Sequence, residues 1–186
     1  MTLKHIPNLV SLFRLLLIIP FLGSLYHQAY PAAFYVFLLA GLTDSIDGWL
    51  ARQFNWQTPL GRFIDPIADK LLITCSVVSL ACLNILPWWL VILILLRDLT
   101  ISCGAIFWHF CIEKNFDFVP SYMSKINTAL QILLVGLCLI ELAFSPLHPN
   151  PIPTLIILTA ITTTTTYIDN AWTWGKKACF LKCARP

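Results

Sequence analysis

Asp44-Ser45-Ile46-Asp47-Gly48-Trp49-Leu50-Ala51-Arg52, followed after eight residues by Gly61-Arg62-Phe63-Ile64-Asp65-Pro66-Ile67-Ala68-Asp69, places four aspartates inside long apolar segments. A carboxylate at bilayer depth costs roughly 2.5–3.5 kcal/mol. Four within one stretch therefore call for partners that neutralise them, and bound metal ions are the natural candidates.

Working outward, the surroundings are those of a membrane protein. Of 186 residues, 58% are hydrophobic and 11% charged, with a mean hydropathy of +0.78. A soluble domain would carry about 25% charged residues. The apolar stretches also reach the ~20 residues that cross a hydrocarbon core. Six spans are expected: Leu9 to Tyr26, Ala32 to Gln53, Phe63 to Ile85, Trp88 to Glu113, Tyr122 to Phe144 and Pro153 to Trp174. The expected fold is all-α and integral to the membrane: one domain over residues 1–186, a bundle of six transmembrane helices with a short interfacial segment, Met1 to Pro7, before the first. That first run carries Arg14 and lacks an A-x-A-like site after it, so it reads as a retained helix rather than a signal peptide.

Lys and Arg concentrate on cytoplasmic loops, and here their distribution alternates. Lys4, Arg52 with Arg62, Lys114 with Lys125, and the final Lys176, Lys177, Lys182 and Arg185 mark one side. The connections near residues 27–31, 84–88 and 145–153 contain neither residue type. Both termini and the aspartates are thus expected on the cytoplasmic face of a multi-pass protein. The net charge of +3 adds attraction to anionic lipids and does not point to nucleic acid. Trp88, Trp89, Trp172 and Trp174 sit where interfacial anchors belong. The cysteines form no C-x-x-C pair and read as packing residues, although Cys179 and Cys183 lie in a basic tail compatible with acylation. The Thr162 to Thr166 run reads as packing, its hydroxyls bonding to the preceding helical turn or across to another helix. Glu141 and Asp169, without a spaced partner, read as solvated or locally paired.

Residues three or four apart share a helix face, so Asp44 with Asp47, and Asp65 with Asp69, form two carboxylate pairs. The short connection between their helices makes them antiparallel neighbours, and four carboxylates can then meet around one or two cations. Oxygen-only ligands favour magnesium, manganese or calcium over zinc. Magnesium keeps positions for substrate phosphate, Gly48 and Gly61 clear space, and Arg52 brings a fork suited to phosphate oxygens. The set describes a diphosphate site at the membrane surface. Acids used for a divalent-cation carrier would instead line a path across the bilayer.

The run D-x-x-D-G-x-x-A-R-x8-G-x-x-x-D-x-x-x-D resembles the signature of the CDP-alcohol phosphatidyltransferases at every fixed position. The resemblance implies a six-helix membrane bundle that is a homodimer, with a pair of Mg2+ or Mn2+ ions, transferring phosphatidyl from a CDP-linked lipid to an alcohol with release of CMP. It implies that Asp44, Asp47, Asp65 and Asp69 hold the metals, that Asp69 is also the general base, and that Gly48, Ala51, Arg52 and Gly61 line the CDP-lipid site.

Elsewhere, Pro7 to Arg14 resembles the opening of phosphatidylglycerophosphate synthases and cardiolipin synthases. Arg97-Asp98 and the run Pro120 to Gln131 look closer to cardiolipin synthases of mitochondrial type; the glycerophosphate enzymes more often show Arg-Glu and a Gly-Lys-x-Lys-Thr run. The resemblance thus implies CDP-diacylglycerol as donor and phosphatidylglycerol as acceptor, with glycerol 3-phosphate the alternative. A bacterial inner membrane is expected in preference to an organellar one. Both acceptors carry a phosphate, so Arg97, Lys125 and Arg14 are the expected acceptor contacts, cations at or within spans where a lone charge is costly.

Overall fold

The structure, a computed structural model, describes the backbone of residues 6–53, 61–111, 122–144 and 151–183, and the side chains of residues 12–43, 70–101, 122–144 and 151–169. Six helices make up the described residues: α1 Ile6–Tyr26, α2 Tyr30–Gln53, α3 Gly61–Cys82, α4 Trp88–Cys111, α5 Tyr122–Ala143 and α6 Ile152–Cys183. They follow the six expected spans in order. Among the described residues α5 is long and apolar enough to cross a membrane; Leu12–Tyr26, Tyr30–Thr43 and Lys70–Cys82 are shorter apolar helical stretches.

Helices α1, α2, α3 and α6 begin one to three residues before the expected spans, α1 at Ile6 so that it takes in Pro7 of the expected interfacial segment, and two C-terminal boundaries differ for a local reason. The third helix stops at Cys82 rather than Ile85 because Asn84 adopts a left-handed conformation, φ 58°. Asn84 N donates to Ala81 O at 2.9 Å and Ile85 N to Leu80 O at 3.0 Å, the paired bonds of a Schellman cap. Gln28, φ 57°, closes α1 in the same way, with Gln28 N on Leu25 O and Ala29 N on Ser24 O. The sixth helix runs nine residues beyond Trp174, to Cys183. Gly175 costs a helix only about 1 kcal/mol relative to Ala, and the next proline is Pro186, so Lys176, Lys177 and Lys182 continue the helix instead of trailing it.

The chain divides into two compact units, one of Met1–Ile85 with Val135–Pro151, the other of Leu86–Leu134 with Ile152–Pro186. In the first unit α1 packs against both α2 and α3. Leu17, Phe21 and Leu25 of α1, Ala33, Phe37 and Ala40 of α2, and Ile73, Val77 and Leu80 of α3 recur at helical spacing and are buried. The Phe21 and Phe37 rings meet at 6.1 Å, while Ala33 and Ala40 let the backbones come close, the usual device of helices that pack without a hydrophobic drive. In the second unit α4 packs against α6, with Leu90, Val91 and Ile94 buried.

The outward faces are apolar as well. Leu12, Leu16 and Ile19 of α1 are 53%, 55% and 68% exposed, and Ile157, Ile161 and Ile168 of α6 are similarly open. The second unit instead buries Arg97, Asn127, Gln131, Thr159, Thr163 and Thr166. Polar groups inside and aliphatic groups outside is the arrangement for a lipid solvent.

Candidate active site

The helical backbone of α2 runs through Asp44, Asp47, Gly48, Ala51 and Arg52, and that of α3 begins at Gly61 and runs through Asp65 and Asp69. The side chains at these positions lie outside the described residues, as do residues 54–60 between the two helices. What the backbone settles is local. Because both stretches are helical, the three- and four-residue spacings bring the Cα atoms of each aspartate pair to one side of its helix. Both helices belong to the first unit and share α1 as a neighbour. A donor set made only of carboxylates fits a hard divalent cation. Among the described residues, no three of His, Cys, Asp and Glu come together as a second metal candidate.

The three basic candidates separate by environment. Arg14, on the face of α1 that carries Leu17, Phe21 and Leu25, is 2% exposed, so it is held inside the first unit and does not snorkel outward. Lys125, in the first turn of α5, is exposed. Arg97, in the second unit, is 3% exposed. Its Nη1 donates to Asp98 Oδ1 at 2.6 Å and its Nη2 to Ser124 Oγ at 2.5 Å, tying α4 to α5, while Nε has no partner. Sequence places Arg97 beside Asp98 but does not reveal that the two side chains bond each other. The cation is part-neutralised where it stands, and one N–H remains for a further acceptor.

Ser124 begins a line of polar residues on α5, with Asn127 and Gln131 following at one-turn intervals. Asn127 Oδ1 lies 2.9 Å from Thr162 Oγ1 and 2.8 Å from Thr163 Oγ1, joining α5 to α6. The threonine run does what its sequence suggests: Thr162 through Thr166 each bond the carbonyl four residues earlier, and two of them also reach across to Asn127. Asn127, Gln131 and Thr159 carry no site role in the sequence reading. A signal is present, since the two amides stand four residues apart on one side of α5, yet only contacts reveal which polar groups lack partners.

Residues 4–171 match the CDP-alcohol phosphatidyltransferase family. The chain is 33% identical over 169 residues to a probable phosphatidylglycerophosphate synthase of Mycobacterium tuberculosis, covering 86% of this chain and 78% of that protein. It is 34% identical over 174 residues to the human cardiolipin synthase (CMP-forming), covering 85% of this chain and 58% of that protein. It is also 34% identical over 137 residues to a CDP-diacylglycerol--glycerol-3-phosphate 3-phosphatidyltransferase of Wigglesworthia glossinidia brevipalpis, covering 70% and 74%.

Proposed function

From the premise that this chain belongs to the CDP-alcohol phosphatidyltransferase family and is an enzyme of that class, we propose that it transfers phosphatidyl from CDP-diacylglycerol to phosphatidylglycerol, forming cardiolipin and CMP. The observation that carries this reading is the pairing of Asp44 with Asp47 and of Asp65 with Asp69 on two helical backbones that pack on one helix, α1. The family is membrane-associated and generally uses a divalent metal. The apolar outward faces support a lipid environment. In this reading residues 1–186 act as one functional domain of six membrane spans with both termini cytoplasmic, working as a homodimer in a bacterial inner membrane.

In this reading Asp44, Asp47, Asp65 and Asp69 hold two Mg2+ or Mn2+ ions. Once bound, such ions supply the positive charge that a diphosphate and its departing CMP require. Arg52 grips phosphate oxygens with a planar fork, and Gly48, Ala51 and Gly61 leave room for the CDP moiety. Asp69 accepts the proton from the acceptor hydroxyl as that oxygen bonds the lipid-side phosphorus and the phosphorus–oxygen bond to CMP breaks. Arg97, Lys125 and Arg14 supply cationic contacts for the acceptor phosphate.

A second reading, phosphatidylglycerophosphate synthesis from glycerol 3-phosphate, is favoured by the similarity to the Mycobacterium and Wigglesworthia proteins named for that activity. Family membership sets aside the carrier reading. Purified protein given CDP-diacylglycerol with each acceptor in turn decides between the two lipids by product mass. Cardiolipin is the expected product; phosphatidylglycerophosphate with no reaction of phosphatidylglycerol selects the second reading.

A further inference from the structure

The second unit buries neutral polar groups for which the fold supplies too few partners. Gln131 is 2% exposed and its Nε2 bonds nothing; Thr159 is fully buried and its Oγ1 bonds nothing. Asn127, also fully buried, spends Oδ1 on Thr162 and Thr163 and leaves Nδ2 without a partner. Turning the Asn127 amide over does not cure this. Each threonine proton also has a carbonyl to go to, Leu158 O at 3.0 Å or Thr159 O at 2.6 Å. The flipped amide would then satisfy Nδ2 on two hydroxyl oxygens and strand Oδ1 instead.

These groups fall into order along the helices. Asn127 marks the level of Thr162 and Thr163. Helices α5 and α6 are joined through residues 144–151, a connection short enough to return the chain antiparallel. One turn onward from Asn127 to Gln131 therefore matches one turn back from Thr163 to Thr159, about 6 Å along each axis. Gln131 and Thr159 stand at one level, Asn127 a turn away. Ser124, one turn to the other side of Asn127, carries the bond from Arg97, whose Nε is also without a partner. The seam thus has a guanidinium at one end and neutral groups, able both to donate and to accept, further along. Buried polar groups are seldom left bare when nothing binds them.

We propose that the seam formed by Arg97, Asn127, Gln131 and Thr159 binds a phosphoglycerol group, with the phosphate toward Arg97 and the diol on the two amides and the Thr159 hydroxyl. This rests on the acceptor reading above and deepens it by naming the chemistry recognised. A diol both donates and accepts, as these neutral groups require, whereas an ammonium or carboxylate headgroup would put an uncompensated charge among them. Phosphatidylglycerol and glycerol 3-phosphate both contain the group.

The test uses the full-length protein in detergent with Gln131→Leu, Thr159→Val and the double variant. Binding is measured for short-chain phosphatidylglycerol, for glycerol 3-phosphate, and for phosphatidylethanol, which keeps the phosphodiester and lacks the diol. The wild type should prefer phosphatidylglycerol over phosphatidylethanol by about 5- to 30-fold, and the double variant should lose that preference. If glycerol 3-phosphate rather than phosphatidylglycerol shows the diol-dependent loss, the site stands and its source is the soluble acceptor. The ligand-free variants should melt at the wild-type temperature or above it, because they exchange unpaired buried polar groups for apolar ones. A lowered melting temperature with undiminished preference for the diol would show a purely structural seam and overturn the proposal. Wild-type protein that discriminates the diol but transfers to neither acceptor would sink the acceptor reading and leave the site; transfer to phosphatidylglycerol with unchanged preference in the variants would do the reverse.

Discussion

Replacing Asp98 by asparagine isolates the charge that the second unit keeps beside Arg97. The two side chains are 4% and 15% exposed, with 2.6 Å between Nη1 and Oδ1. The substituted amide would retain an acceptor oxygen at the same place, so the geometry survives and only the neutralising charge is lost. Breaking a buried pair by removing one partner costs about 3–5 kcal/mol. The residual exposure of Asp98 puts the expected loss at the lower end, about 3 kcal/mol, or roughly two orders of magnitude in the folded population. For a chain of this size that lowers the melting temperature by roughly 6–12 °C. Ser124→Ala removes one hydrogen bond to a charged donor, about 1.5–3 kcal/mol, and should cost no more than Asp98→Asn. Arg97→Leu combined with Asp98→Leu removes both charges and should be less destabilising than Asp98→Asn alone, while abolishing acceptor-dependent CMP release. Thermal unfolding in one detergent, with CMP release measured on the same preparations, checks all three. An unchanged melting temperature for Asp98→Asn, or a double variant less stable than the single one, would refute the reasoning that Asp98 neutralises a buried guanidinium.

At the aspartates, Asp69→Asn should abolish CMP release while CDP-lipid binding persists, and near-normal release would remove Asp69 from the base role. Asp44→Ala or Asp65→Ala should weaken metal-dependent CDP-lipid binding too, so binding that ignores added Mg2+ or Mn2+ yet matches wild type would end the ligand assignment. Gln28→Gly should raise stability by up to about 1 kcal/mol, since a left-handed φ of 57° strains any residue with a Cβ; a lower melting temperature in that variant counts against strain at the α1 cap. Labels near Gln57 and after Trp174 should react from the cytoplasmic side and labels near Gln28 and Asn150 from the opposite side; reaction of Gln57 from the far side alone would reverse the orientation.

Residue order alone determined the number of helices among the described residues, the helical spacing of the aspartate motif and the family. All of these rest on local spacing: apolar runs of bilayer length, and acids three or four residues apart that share a helix side whatever the helix packs against. Backbone detail already escaped it, because whether Asn84 takes φ 58° and ends α3 early depends on the paired carbonyls of Leu80 and Ala81 being free to accept. Tertiary structure alone decided the fate of the buried polar groups. Arg14 and Arg97 are each the one cation of an apolar run, the second with Asp98 next to it in sequence, yet one is set against the first unit's core and the other is shared between Asp98 and Ser124. Asn127 and Gln131 also stand one helical turn apart on one face; the first meets two threonine hydroxyls from a helix more than thirty residues away and the second meets none. Hydrogen bonding is short-ranged and directional, so whether a buried amide is satisfied is set by which distant helix lies against it, a quantity that no local spacing encodes.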